Sequence, residues 1–342
     1  MNLPDSSPII ELIEGFRRSK AMFAAVSLGV FDILQHTPSD VSTLAAQLDI
    51  QSEPLERLLN CCVALGLLRR NGSFYENEPV ASTYLCRDSE QSLTGYILYS
   101  NDVLFRLWTH LEDAIREGTP RWKQTFGIEG AIFDHFFRTE EATQTFLQGM
   151  HGLGTLSSPK IVEAFDLSQF RQMVDLGGGT GHLAIAACER YPDLQAVVFD
   201  LEQVIKITRA LPSRSPAGQR VTTMAGDFFR DELPDADLFA LGRILHDWPE
   251  QKIRDLLTKI HHRLPGGGGI LLAEKLLYED KTGPGSAHLQ SLNMLVCTEG
   301  KERTLGEYRE LLEDAGFQNV EGRITGRPLD AILGIKPDHL SY

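Results

Sequence analysis

His246 sits in "LGRILHDWPEQ" (241–251), where an apolar run gives way to a polar, helix-initiating one. Imidazole has an ordinary pKa of about 6.5 and can take a proton from a hydroxyl at neutral pH. A lone histidine at a strand end is as readily a packing residue, so its reading depends on what surrounds it. Upstream, "VDLGGGTGHL" spaces Asp175, Gly177, Gly179 and Gly181 as D-x-G-x-G-x-G. Such a loop lets a strand turn sharply into a helix and lets a ligand approach the backbone, and both need residues without a Cβ. A dinucleotide fingerprint needs G-x-G-x-x-G. From Gly177 its third glycine would fall on His182, which disfavours a nicotinamide cofactor. The next apolar run ends "VVFDL", where Asp200 can accept from both hydroxyls of a ribose. The one after ends "AGDFF", where Asp227 can accept from an adenine amino group while Phe228 packs on the ring. Each aspartate alone reads as a turn residue; the three signals at successive strand ends reinforce one another.

Those residues need a scaffold that brings strand ends together. From about residue 160 the pattern alternates: "QMVDL", "QAVVFDL", "VTTMA", "DLFALG" and "GGILLAE" read as strands, with helices such as "HLAIAACERY" and "EQKIRDLLTKIHHRL" between. Alternation of this kind predicts an open, mostly parallel sheet with helices on both faces and ligands at the carboxyl ends of the strands. The first half reads as helical. Ile9, Ile10, Ile13, Phe16, Ala21 and Ala24 recur at helical spacing and Gly29 ends or bends the run. Two short helices follow, the second capped by Ser52, and then a hairpin around Asn71–Gly72. Helix, helix, hairpin is a winged-helix order. The would-be recognition helix carries Glu53 and Glu56 against Arg57, and the chain's formal net charge is −14, so the pattern argues for packing rather than nucleic-acid contact. "HGLGTLSSPK" (151–160) reads as a connector, which divides the chain into domains 1–155 and 156–342.

The 342 residues suffice for two domains of ordinary size. No run approaches the roughly 20 apolar residues that span a bilayer, and no basic segment followed by an apolar one opens the chain. Cys61, Cys62, Cys86, Cys188 and Cys297 lack CxxC spacing and read as reduced thiols, so a cytoplasmic protein without a membrane partner is expected. No HExxH or clustered Cys/His implies a metal.

The words "DLGGGTG", "VFDL", "GDFF", "RILHDWP", "SLNMLV" and "TEGKERT" together resemble the class I S-adenosylmethionine-dependent small-molecule O-methyltransferases, the family of the caffeic acid, phenazine and acetylserotonin enzymes, most closely the acetylserotonin type. The resemblance covers nearly the whole chain. It implies an α/β fold: a Rossmann-like, seven-stranded methyltransferase domain behind an N-terminal, mostly α, winged-helix-like dimerisation domain, assembled as a homodimer. It implies that S-adenosyl-L-methionine lies over Asp175, Gly177, Gly178, Gly179, Gly181, Asp200, Leu201, Gly226, Asp227, Phe228 and Arg243, leaving as S-adenosyl-L-homocysteine. The family pattern makes His246 the general base, with Glu274 and either Glu302 or the nearby Glu299 holding its far nitrogen.

A base of that pKa suits a phenolic hydroxyl, with a pKa of about 10, better than an aliphatic alcohol. The substrate of the family lies between the domains, and Phe136, Phe137, Phe146, Met150, Asn293 and Met294 match its lining, although such a stripe is also ordinary core. Asp247 falls beside His246, next to the acceptor, and also reads as the N-cap of the following helix, with Pro249 and Glu250 in its first turn. Some relatives carry a tryptophan where this chain has Gly154, which weakens the case for acetylserotonin itself. Two alternatives remain open: a donor-binding relative with non-methylating chemistry, and a winged-helix DNA-binding regulator.

Overall fold

The computed structural model describes residues 3–130, 133, 136–210 and 215–338. Two units emerge, Met1–Val103 and Leu104–Tyr342.

In the first unit the apolar helical run forms α1 (Ser7–Ser27) and α2 (Val30–Leu34). They are separated at Gly29, whose φ of +78° is the left-handed conformation that glycine adopts without a Cβ penalty. β1 (Ser39–Asp40) leads into α3 (Val41–Leu48), capped by Asp40, whose carboxylate accepts the Thr43 N–H at 2.9 Å. In α4 (Ser52–Ala64) Ser52 is already helical and Gln51 occupies the cap without a side-chain hydrogen bond, so the expected Ser52 cap is not made. β2 (Leu68–Asn71) and β3 (Phe74–Asn77) pair antiparallel with Asn71 opposite Phe74. The two-residue loop is therefore Gly72–Ser73, one residue on from the Asn71–Gly72 loop expected, and Gly72 supplies its positive φ of +59°. Pairing with β1 completes a three-stranded sheet in the order β1-β3-β2. Helices α5 (Pro79–Tyr84) and α6 (Thr94–Tyr99) follow.

The second unit opens with α7 (Phe105–Trp108), α8 (Leu111–Glu117), α9 (Trp122–Phe126) and the 24-residue α10 (Glu140–Glu163). Residues 131, 132, 134 and 135 of the expected helical stretch lie outside the described residues. The segment 151–160, expected as a connector, and residue 155, expected as a domain end, lie inside α10. Within this stretch, which mimics a linker in composition, Gly154 serves close helix packing instead. A Cβ on Gly154 would come within 2.2 Å of the His182 ring on the helix packed against it.

Then comes the alternating part: β4 (Gln172–Leu176), α11 (His182–Arg190), β5 (Gln195–Asp200), α12 (Glu202–Ala210), β6 (Val221–Ala225), β7 (Leu238–Gly242), α13 (Glu250–Arg263), β8 (Gly269–Glu274), β9 (Leu276–Leu277), α14 (Gly285–Cys297), β10 (Arg303–Thr304), α15 (Leu305–Asp314), β11 (Gln318–Arg323) and β12 (Asp330–Ile335). The seven-stranded sheet has the order β11-β12-β8-β7-β4-β5-β6. β12 runs antiparallel to both its neighbours and the remaining pairings are parallel. Successive residues of one strand feed opposite cores: Val174, Phe239, Leu241, Ile270 and Leu272 on one face, Met173, Leu238, Ala240, Leu271 and Ala273 on the other. Burial on both faces explains why these strands read as continuous apolar runs. The order reverses between β4 and β7, and connections leaving to opposite sides there open a crevice at the strands' carboxyl ends. Among the described residues no helix is long and apolar enough to cross a membrane.

Candidate active site

The crevice is lined from two directions. On the β4 side the chain leaves Leu176 into a loop whose Gly177, Gly179 and Gly181 have φ of +66°, +54° and +77°. A Cβ at Gly177 would stand 2.4 Å from Ile244 Cδ1, and one at Gly226 would stand 2.3 Å from the Phe199 ring, so either neighbour would have to move to admit a side chain. Beside Gly178, Asp175 is 2% exposed and its Oδ2 has no hydrogen-bond partner. Burial pushes its carboxyl up to about 7. Asp200, at the end of β5, accepts the Gly179 N–H (2.9 Å) and the Leu201 N–H (2.7 Å), one on each oxygen. Each oxygen keeps a further lone pair for a ligand hydroxyl. Burial outweighs the two backbone donors and raises Asp200 to about 6. Beyond β6, the Gly226 N–H donates to the Asp200 carbonyl, and the Asp227 carboxylate accepts the Phe229 N–H at 2.9 Å, closing the turn. The Phe228 ring edge lies beside the Gly177 loop. Glycine loop, Asp200, Leu201, Gly226 and Phe228 thus converge on one edge of the sheet.

On the β7 side the chain passes through Arg243, whose φ of +58° is rare for a side chain with a Cβ, and into a short turn at Leu245–Asp247. The Arg243 Nε is buried without a hydrogen-bond partner. His246 is 4% exposed. Its Nδ1 lies 2.7 Å from Glu302 Oε1 and 3.3 Å from Glu274 Oε2. Glu274 ends β8 and is held by its other oxygen, which accepts the Ile244 and Leu245 N–H groups at 3.0 and 2.8 Å. The parallel β9–β10 ribbon, with Arg303 opposite Leu276, carries Glu302 to the same place. Glu299 instead pairs with Lys252 at 3.0 Å, so Glu302 is the carboxylate that reaches the imidazole.

Asp247 does not cap the next helix: Pro249 holds that position, and Asp247 Oδ1 lies 3.7 Å from His246 Nε2. Burial by itself would keep the imidazole neutral. Glu274, Glu302 and Asp247 outweigh it and push His246 up to about 10. Burial in turn raises Glu274 to about 7 and Asp247 to about 6. The ligand atoms of His246, Glu274 and Glu302 lie within 4.8 Å of one another, a spacing that could also hold a cation. Once the ring is deprotonated, an Nδ1–H donating to Glu302 leaves the lone pair on Nε2, where it can accept a proton.

The expected aromatic lining forms a chain of ring contacts. Phe136 packs on Phe146 (4.6 Å between centroids) and edge-on to Trp122 (5.1 Å), and Phe137 meets Phe146 at 5.8 Å. Phe133, absent from the expected residues, meets Trp248 at 5.4 Å, beside the His246 turn. Met150 is half-buried; Met294 is buried in the core. The Asn293 amide oxygen accepts from the Trp108 indole at 2.9 Å. Neither Phe133 nor Trp108 is distinguishable from core by its sequence spacing.

Residues 108–318 match the O-methyltransferase domain family, and residues 10–87 match the O-methyltransferase dimerisation domain. The chain is 42% identical over 337 residues to acetylserotonin O-methyltransferase of Gallus gallus, covering 96% of each protein. It is also 42% identical over 336 residues to a human protein described as a probable bifunctional dTTP/UTP pyrophosphatase/methyltransferase, covering 97% of this chain and 54% of that longer protein. Human N-acetylserotonin methyltransferase, crystallised in complex with SAM, superposes with a TM-score of 0.94 at 39% identity, over 98% of this chain and 99% of that one.

Proposed function

With the chain a member of the S-adenosylmethionine-dependent O-methyltransferase family, we propose that its acceptor is the hydroxyl of a small aromatic metabolite and that His246 is the general base. The observation that carries the base assignment is the buried imidazole with Glu302 at 2.7 Å and Glu274 at 3.3 Å from Nδ1, at the switch point of the sheet. Donor and crevice fit. The orphaned, buried Asp175 Oδ2 and the Asp200 carboxylate, with a lone pair left on each oxygen, offer polar acceptors beside a glycine loop open to the donor. S-adenosylmethionine, when bound, supplies an already activated methyl on a sulfonium cation.

What remains for the chain is positioning and one proton. The glycine loop would admit the donor against the backbone, Asp200 would take its hydroxyls and Phe228 would pack beside it. Nε2 of His246 accepts the acceptor's proton as oxygen attacks, and Glu302 and Glu274 stabilise the imidazolium through Nδ1. Such base help contributes about 10²–10⁴ in rate, and orientation supplies much of the rest. A phenol, acidic by comparison with an alkanol, matches a base of raised pKa. The aromatic chain from Phe146 to Trp248 supports a flat acceptor.

Ile9, Ile10, Leu12, Ile13 and Phe16 on α1 are each at least 50% exposed, an apolar face that a second copy would cover in a homodimer. The test of the acceptor class is a panel of phenols, hydroxyindoles, catechols, aliphatic alcohols and amines, scored by S-adenosylhomocysteine release. Turnover confined to aromatic hydroxyls is expected; turnover confined to amines or alkanols contradicts the reading.

A further inference from the structure

The turn that carries His246 makes little regular secondary structure of its own. Leu245–Asp247 is one short 3-10 turn between β7 and α13. Its backbone is held from the segment 299–303. The Glu299 N–H donates to the Asp247 carbonyl at 3.3 Å. A Cβ on Gly300 would stand 2.0 Å from the His246 carbonyl oxygen, so that position has no room for a side chain. Arg303 is 2% exposed, and its guanidinium donates through Nη1 to the Leu245 carbonyl (3.3 Å) and the Lys301 carbonyl (3.1 Å), and through Nη2 to the Trp248 carbonyl (3.5 Å). The guanidinium therefore spans the residue before His246 and the residue after Asp247, tying both ends of the turn to the segment that bears Glu302. A buried cation is costly unless its donors are used, and here they are spent on main-chain carbonyls rather than on a carboxylate.

From this geometry we infer that Arg303 is a positioning residue for methyl transfer: it fixes the His246 turn so that the imidazole meets Glu302 on one nitrogen and the acceptor on the other. This rests on His246 being the base. Arg303 touches neither donor nor acceptor in this role. It acts through the angle of the ring, and a planar fork of donors suits two carbonyls where a single ammonium does not.

The test compares wild type, Arg303→Lys and Arg303→Ala. Donor affinity is read by titration calorimetry with S-adenosylmethionine. The kcat and KM are read with the best acceptor of the phenol panel. The His246 ring signals are read by ¹⁵N NMR, with His246→Ala for assignment. Arg303→Lys is expected to leave donor affinity within about twofold, lower kcat about 10–100-fold, and move the His246 signals. Millimolar guanidinium is expected to restore part of the kcat of Arg303→Ala. Arg303→Lys with wild-type kcat overturns the proposal, as does a kcat loss with unmoved His246 signals. If Arg303→Ala does not fold, Arg303→Lys decides alone. Undiminished turnover by His246→Ala strikes the base assignment, while the NMR signals still report whether Arg303 orients the ring.

Discussion

The two edges of the crevice are built differently. The β4–β6 edge is made largely of backbone: glycines at positive φ, N–H groups, and the Asp200 carboxylate, already held by two of those N–H groups. The β7–β8 edge is made of charge: an imidazole 4% exposed among Glu274, Glu302 and Asp247. A site for a ligand common to a whole family can be written in main chain, because its shape is constant. A proton-transfer site has to be written in side chains, because only they titrate. Substitutions on the first edge should therefore move donor affinity and spare kcat, and substitutions on the second should do the reverse.

On the donor edge the largest departure is expected from Asp200→Ala. It removes a carboxylate that hydrogen-bonds the loop and, in the proposed site, the donor's hydroxyls, with charged hydrogen bonds of about 1.5–3 kcal/mol each. Donor affinity should fall about 100-fold in a calorimetric titration, with kcat at saturating donor little changed. A comparable loss in kcat would erase the distinction between the edges.

Glu302→Gln should lower kcat about 10–100-fold, the same energy range for one charged hydrogen bond, and leave donor affinity alone. It also sharpens the pH argument. A base acts only when unprotonated, so kcat/KM, which reports the free enzyme, rises as pH approaches the His246 value of about 10. Removing the Glu302 charge favours the neutral imidazole, so the rising limb of the profile should move to lower pH. A limb that stays put means that the titrating group is not His246.

Gly177→Ala is expected to be milder. A non-glycine residue at φ +66° costs about 1–2 kcal/mol, and Ile244 Cδ1 must shift to admit the Cβ. Donor affinity should weaken about tenfold. Gly154→Ala should spare kcat: its Cβ would strike the ring of His182, which follows Gly181 of the donor loop at the start of α11, so any change falls on donor affinity. The expected outcome is a melting temperature lower by about 5 °C, from overpacking of about 1–3 kcal/mol.

The same contrast explains what could be read in advance. The glycine loop, Asp200 and the strands behind them follow from local rules: where φ must be positive, where a carboxylate follows a strand, where both faces are buried. The fold class followed with them. The His246 edge depends on which distant residues meet, and spacing cannot decide that. Glu299 and Glu302 were equivalent in sequence, and only the β9–β10 pairing aims Glu302 at His246 while Glu299 takes Lys252. Asp247 carries the residue type of a cap, yet the turn at Leu245–Asp247 points it back toward the imidazole. Arg303 lay in a recognised word, "GKERT", with nothing to show that its guanidinium reaches Leu245 and Trp248. In α10 the rules misled outright, because Gly152, Gly154 and Pro159 resemble a linker until the neighbouring helix is present.

The central claim is that one edge binds the donor while His246, on the other, takes the proton. The most direct measurement is S-adenosylhomocysteine release from wild type and His246→Ala with a phenolic acceptor at saturating donor. Calorimetric donor affinity is taken on the same preparations. The account predicts equal donor affinity and a kcat lower by about 10²–10⁴ in the variant. Equal kcat in the two proteins would contradict it.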